Sequence, residues 1–301
     1  MRSLGFLAGS SCVIFLTFYA NAETLTVDCN AGQNIQSRIA QAKPGDVVQV
    51  RGTCNEGVQI ASEIVRLTLA GESGATINTP KGSDGIFIRG RDITVRGFTI
   101  SGGRDGIHLS GQAAGASAII ERNIIRETGR HGIHIDQKSV ARIGGNTIEN
   151  VPMDGIDITE SSNARIGYII FDPVPNTIRN VGRNAISINA GSTARILGNV
   201  LTGNKGNGIM VSRNSQSDVW GNLISGNEGD GIQVIYGSGI VVTGSTMPKV
   251  EQENTTTENQ PNGGYGVNCF VGGFVVGPIA KMAGKKGGKN IDASCVERSG
   301  S

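Results

Sequence analysis

DGIHLS at 105–110, HGIHID at 131–136, DGIDIT at 154–159 and NAISIN at 184–189 are four versions of one phrase. Each opens on a polar residue, turns on Gly or Ala, and then alternates Ile or Leu with something else. Alternation with a period of two marks a strand with one buried face. The phrase recurs outward in both directions, as Asp84-Gly85-Ile86 before it and as Asn207-Gly208-Ile209, Asp230-Gly231-Ile232 and the degenerate Tyr265-Gly266-Val267 after it. From Asp84 to Asp230 the anchors stand 21, 26, 23, 30, 23 and 23 residues apart. A second phrase, Gly-Asn-x-Ile or a relative, runs between them, with Asn at 123, 146, 176, 199 and 222 and further Asn at 150, 180, 204 and 227.

A repeat near 23 residues, built of short Ile-containing strands ended by Gly or Asn, is what one coil of a parallel β-helix requires. Leucine-rich repeats need a Leu-x-x-Leu-x-Leu pattern that is absent, and propeller blades need about 40 residues or more. Composition agrees. Gly is 46 of 301 residues, too many for long helices, and with 8 Pro and no Gly-X-Y period the chain is not collagen. A net charge of +2 gives no global attraction to nucleic acid or membrane. The Asn columns read as structural, because Asn tolerates left-handed turns and stacked amides can bond one another and the turn backbone.

Arg2, the apolar run from Leu4 to Tyr19 and then Ala20-Asn21-Ala22 have the three parts of a secretory signal peptide over 1–22, cleaved after Ala22. No later segment is apolar enough to span a bilayer, so the mature chain is expected without a membrane span. The mature chain keeps Cys29, Cys54, Cys269 and Cys295, an even count that favours disulfides in an exported protein. Three connectivities are open; proximity favours Cys29 with Cys54 and Cys269 with Cys295. The β-helix domain is expected over 23–278. Ile35 and Ile39 share a helical face within 34–42, a cap helix over the first coil. The polar stretch 247–264 reads as an inserted loop, and 279–301, with Lys281, Lys285, Lys286 and Lys289 among Gly, as a basic tail.

If the Ile residues of the repeated strand face inward, the residues between them face outward. The first outward column reads Phe87, His108, His134, Asp157, Ser187, Met210, Gln233, and the second Arg89, Ser110, Asp136, Thr159, Asn189, Ser212, Ile235. Two of only three histidines are neighbours in this column, and His131 opens the same strand as His134. Three uses suit the cluster. His134 or His108 could move a sugar C5 proton with Arg89 neutralising the carboxylate. Asp136 and Asp157, diagonal on adjacent strands, could serve an inverting glycosidase. His108 and His134 with Asp157 or Asp136 could hold a divalent metal such as zinc or copper. A Ser-His-Asp triad fails on order, since Asp157 lies between His134 and Ser187. A separate column, Arg142, Arg165 and Arg195 in ARIGG, ARIGY and ARILG, stacks like charges and suggests contact with a polyanion, with Glu121 and Asp218 near enough to relieve it. His131 joins these arginines as a candidate substrate contact.

The alternation of Asp/Asn-Gly-Ile-x-Ile with Gly-Asn-x-Ile resembles the right-handed parallel β-helix superfamily of pectate lyases, polysaccharide epimerases and related periplasmic proteins, over residues 24 to 275. The resemblance implies an all-β right-handed solenoid, a secreted or periplasmic location and a polysaccharide partner. The families' own catalytic motifs do not recur: His134 follows Gly132-Ile133 where the mannuronan epimerases carry Asp-Pro, and outward acids are sparse compared with the calcium ligands of pectate lyases. The expectation is therefore a protein that binds or processes an acidic extracellular polysaccharide, by lyase, epimerase or hydrolase chemistry. Its alternative is a non-catalytic scaffold for surface, adhesion or metal-handling roles.

Overall fold

The computed structural model describes residues 22–112, 115–170, 172–242, 253–257 and 260–298. The expected signal peptide lies outside them except for Ala22, and the 247–264 loop is described only in part. Three parallel sheets of 12, 10 and 8 strands run along the chain, which visits them in turn. The repeat places each strand beside its own copy in the next coil, so Ile86, Ile107, Ile133, Ile156, Ile186, Ile209, Ile232 and Val267 lie in register in the 10-stranded sheet. All eight have no exposed surface. This inner column and its neighbours form one continuous apolar core, the main source of stability in a stack where each coil touches only the next.

Corners are closed by side chains. Asn123, Asn146, Asn176, Asn199, Asn222 and Asn254 form a ladder in which each amide Nδ2 donates to the Oδ1 of the next at 2.9–3.1 Å. The same Oδ1 atoms accept from backbone N–H groups, and the Nδ2 atoms also reach buried carbonyls such as Ile143 O. The later Asn column divides. Asn204, Asn227 and Asn262 build a second ladder, whereas Asn150 and Asn180 occupy left-handed turns at φ 55° and 54°. Gly in the repeated phrase answers to space rather than to φ. A Cβ on Gly132 would meet Ile148 Cγ2 at 2.4 Å and the carbonyl of Gly155 at 2.6 Å.

Both ends are finished differently from the middle. At the start, the helix Ile35–Ile39 is shorter than the expected 34–42; Asn34 caps it by accepting from Ser37 N, and it buries Ile35 and Ile39 against the first strands. At the far end, the segment expected as a basic tail from 279 is instead part of the solenoid. Gly287–Ile291 pairs with Tyr265–Cys269, and Val296–Arg298 pairs with Phe274–Val276. Its Gly-Gly-Lys-Asn-Ile sequence lacks the alternating Ile of earlier coils, so strand pairing is carried by backbone and not by pattern. Disulfides Cys29–Cys54 and Cys269–Cys295, separated by 25 and 26 residues, each tie one coil to the next at an end. Among the described residues no helix is long and apolar enough to cross a membrane.

Candidate functional site

The outward column falls as the alternation requires: Phe87, His108, His134, Asp157 and Ser187 are in register on the 10-stranded sheet. Strand stacking brings the rings together. His108 and His134 lie face to face with centroids 4.7 Å apart and planes 8° from parallel, Phe87 tilts against His108 at 4.9 Å, and His131 tilts against His134 at 5.1 Å. Although these side chains point away from the core, they are not freely solvated. His108, His131, His134 and Asp157 are each 5–8% exposed, because the residues flanking the column fold over it.

Those flanking residues lie outside the outward columns that the alternation marks. Asp84 and Asp105 occupy the polar position before Gly-Ile, and each faces the histidine of the following coil. Asp84 Oδ2 lies 3.0 Å from His108 Nδ1, and Asp105 Oδ2 lies 3.6 Å from His134 Nδ1. Two arginines hold the carboxylates in bidentate geometry. Arg104 donates from Nε and Nη2 to Asp84 at 2.9 and 2.8 Å, and Arg130 does the same to Asp105 at 2.9 and 2.6 Å. Arg183 approaches Asp154 from the corresponding position, but by a single 3.6 Å contact without the bidentate hydrogen bonds. A signal for this layer was present in the sequence: Arg precedes the anchor residue in Arg104-Asp105, Arg130-His131 and Arg183-Asn184.

On the other side of the rings, His108 Nε2 meets Asp136 Oδ2 at 3.1 Å, while His134 Nε2 lies between Asp136 Oδ2 at 3.9 Å and Asp157 Oδ2 at 3.7 Å. His134 Nδ1 also touches Arg130 Nη2. Nδ1 thus faces a donor, Arg130, and, beyond hydrogen-bond reach at 3.6 Å, the Asp105 carboxylate. Among the described residues, three buried polar atoms in this small volume lack a hydrogen-bond partner, namely His131 Nδ1, His134 Nε2 and Asp136 Oδ1.

Charges are sorted by this arrangement. Burial opposes ionisation of His108, but the hydrogen bonds and charges of Asp136 and Asp84 outweigh it and lift its pKa to about 9. His131 is pushed down to about 4, first by burial and then by His134, Arg130 and Arg183, against the pull of Asp105. Asp84, Asp105 and Asp136 are held below the ordinary carboxylate range although burial works the other way, because His108 and Arg104 bond Asp84, Arg130 bonds Asp105 with His134 close by, and His108 bonds Asp136. Burial raises Asp154, and burial together with the charge of Asp154 raises Asp157.

Of the residues singled out from sequence, His108, His131, His134, Asp136 and Asp157 are brought together here. Arg89 stands at the edge of the cluster over the Phe87 ring, 5.6 Å from its centroid, with its buried Nε unpartnered. Arg142, Arg165 and Arg195 do stack in register, but on the 12-stranded sheet, apart from the histidines. Asp218 relieves Arg195 at 3.0 Å as expected, whereas Glu121 pairs with Arg122 rather than with the column.

A model of the right-handed β-helix region matches residues 84–246 and 174–272. The chain belongs to that family. Among solved structures it is similar to the A-module of the mannuronan C-5 epimerase AlgE4 of Azotobacter vinelandii, at 12% identity and TM-score 0.54 over 85% of this chain and 81% of that one. The periplasmic alginate epimerase AlgG matches at 14% identity and TM-score 0.44, over 92% and 72% of the two chains. An alginate lyase from a Paenibacillus species matches at 15% identity and TM-score 0.39, over 92% and 98%. At these identities the likeness is one of fold. Among curated proteins, no sequence matches the chain.

Proposed function

We propose that this right-handed β-helix protein is exported and processes an acidic polysaccharide by proton transfer at the carbon next to a uronate carboxylate, as a lyase or an epimerase does. The observation that carries this is the position of His134 Nε2, held between Asp136 and Asp157 in the outward column with Arg130 and Asp105 behind Nδ1. A neutral imidazole with its lone pair at Nε2 can take a proton, and the imidazolium it becomes can give one back. His134 is the proposed base, His108 the imidazolium that steadies negative charge developing on the sugar, and Arg89 the contact for the substrate carboxylate. Asp105 and Arg130 are positioning residues: they act on the sugar only through the His134 ring.

Two further features support a polymer as the substrate. The site lies on a sheet face that continues for 10 strands along the solenoid, and the second stack of Arg142, Arg165 and Arg195 offers a polyanion another place to rest. Hydrolysis fits less well, because the gap between Asp136 and Asp157 is filled by the His134 imidazole, where an inverting enzyme leaves room for water. Export rests on the leader-like segment and on two disulfides, which persist in oxidising compartments.

The test is a screen of the purified mature chain against alginate, pectin and glycosaminoglycans, reading ultraviolet absorbance for unsaturated products and new reducing ends. Activity on a uronate polymer that His134→Ala removes is the expected result. A flat response on all three, with the protein folded, would favour the non-catalytic scaffold.

A further inference from the structure

His108 and His134 are held in the way metal-binding histidines are held. Each has a carboxylate at Nδ1, Asp84 at 3.0 Å and Asp105 at 3.6 Å, and each carboxylate is clamped by an arginine. A carboxylate bonded behind the ring, as Asp84 is to His108, fixes the tautomer and raises the basicity of the far nitrogen, the usual outer shell of a histidine ligand. Both far nitrogens turn to the same carboxylate, Asp136, and His134 Nε2 also to Asp157. One donor atom from each of His108, His134 and Asp136 lies within 4.8 Å of the others. Ligands around a tetrahedral ion with bonds of about 2.0–2.1 Å stand roughly 3.3 Å apart. Within this group, the 3.1 Å from His108 Nε2 to Asp136 and the 3.9 Å from His134 Nε2 to Asp136 lie within about 0.6 Å of that spacing.

Unpartnered atoms mark the same spot. His134 is 8% exposed, and its Nε2 and the Oδ1 of Asp136 make no hydrogen bond. A cluster of Asp105, His131 and His134 is equally tight, but the Asp105 oxygens are already taken by Arg130 and by the His131 backbone N–H, so Asp105 orients rather than ligates.

We propose that His108 Nε2, on release of its proton to solvent, His134 Nε2 and Asp136 bind one divalent transition ion of the zinc class, with Asp157 beside His134, and that the ion blocks proton transfer by occupying the lone pair of His134. Two imidazoles with carboxylates select such ions over calcium and magnesium, which prefer oxygen donors alone. The blocking role rests on the proton-transfer reading above; the site does not.

The test titrates tag-free, chelator-treated protein with Co2+ and Zn2+, following cobalt absorption and heat. One equivalent is expected to bind, with His108→Ala and His134→Ala each lowering affinity by about 100-fold or more. Asp105→Asn is expected to lower it by about 10–100-fold with the fold intact by circular dichroism, as loss of an outer-shell partner does. Excess Ca2+ should not displace the ion. Absence of saturable binding, binding unchanged in both histidine variants, or displacement by Ca2+ would each overturn the site. If the ion binds yet proton exchange on a uronate polymer continues, the blocking role fails and the site stands. If no polymer supports proton exchange, the proton-transfer reading and the blocking role fail together, and the titration alone decides the site.

Discussion

His134 lies flat on His108, ring centroids 4.7 Å apart and planes 8° from parallel, on adjacent coils in the same register. Two carboxylates bond His108 directly, at 3.0 and 3.1 Å, and favour its charged form. The repeat thus supplies two copies of one side chain, and their neighbours give them different tasks.

The raised pKa of His108 makes stability pH-dependent with a definite sign. Its folded value of about 9 lies above the ordinary 6.5, so the folded chain holds the proton more tightly than the unfolded one. The resulting stabilisation, on the order of 3 kcal/mol, is fully present below about pH 6.5 and is lost as pH rises through about 9. Urea unfolding at about pH 6.5 and about pH 9.5 should show this loss in the natural chain and a smaller one in His108→Gln. Equal slopes in the two proteins would contradict the assignment.

Arg130 and Arg142 make a contrasting pair. Arg130 is the bidentate partner of Asp105, whose side chain has no exposed surface, so Arg130→Met strands a buried carboxylate at a cost of about 3–5 kcal/mol. Arg142→Ala, in the middle of the surface stack, should change stability by less than about 0.5 kcal/mol. Chemical denaturation of both variants checks this, and a comparable loss in each would count against the clamp.

Asn176 is a middle rung of the long ladder, accepting from Asn146 and donating to Asn199 and to the Ile143 carbonyl. Asn176→Ala leaves buried donors and acceptors unpaired on both neighbouring coils and should cost at least about 2 kcal/mol. Asn150→Gly, at a left-handed turn, should be near neutral. Denaturant midpoints of the two variants distinguish a ladder rung from a turn residue.

The two disulfides sit at opposite ends of a structure whose coils touch only their neighbours. Each closes a loop of about one coil and by chain entropy contributes roughly 3–4 kcal/mol. Reduction should therefore fray the ends and spare the middle. Hydrogen exchange would then speed up within 24–60 and 265–298 and stay slow around Ile133 and Ile156; uniform loss of protection would show a more cooperative molecule.

The Gly-Ile phrase made the coil legible because its period is set by packing: inward Ile in every copy and no room for a side chain on Gly132. The outward histidine column followed from the same alternation. What remained hidden was the second layer of the site. Asp84 and Asp105 share their position with Asn184, Asn207 and Asp230, so the column alone shows only a turn residue. Their contact with His108 and His134 depends on which way a side chain leans across coils, and a repeat pattern does not carry that. The last coil was hidden for another reason. Gly287–Ile291 forms by backbone pairing to Tyr265–Cys269, without the apolar alternation that marks the others.

The most direct test of proton transfer at His134 is incubation of a uronate polymer with the mature chain in deuterated water, followed by nuclear magnetic resonance at the proton next to the carboxylate. Loss of that proton signal with the natural chain, absent with His134→Ala and strongly slowed with Asp105→Asn, is the expected result. Retention of the signal across alginate, pectin and glycosaminoglycans by a folded, metal-free protein would contradict it.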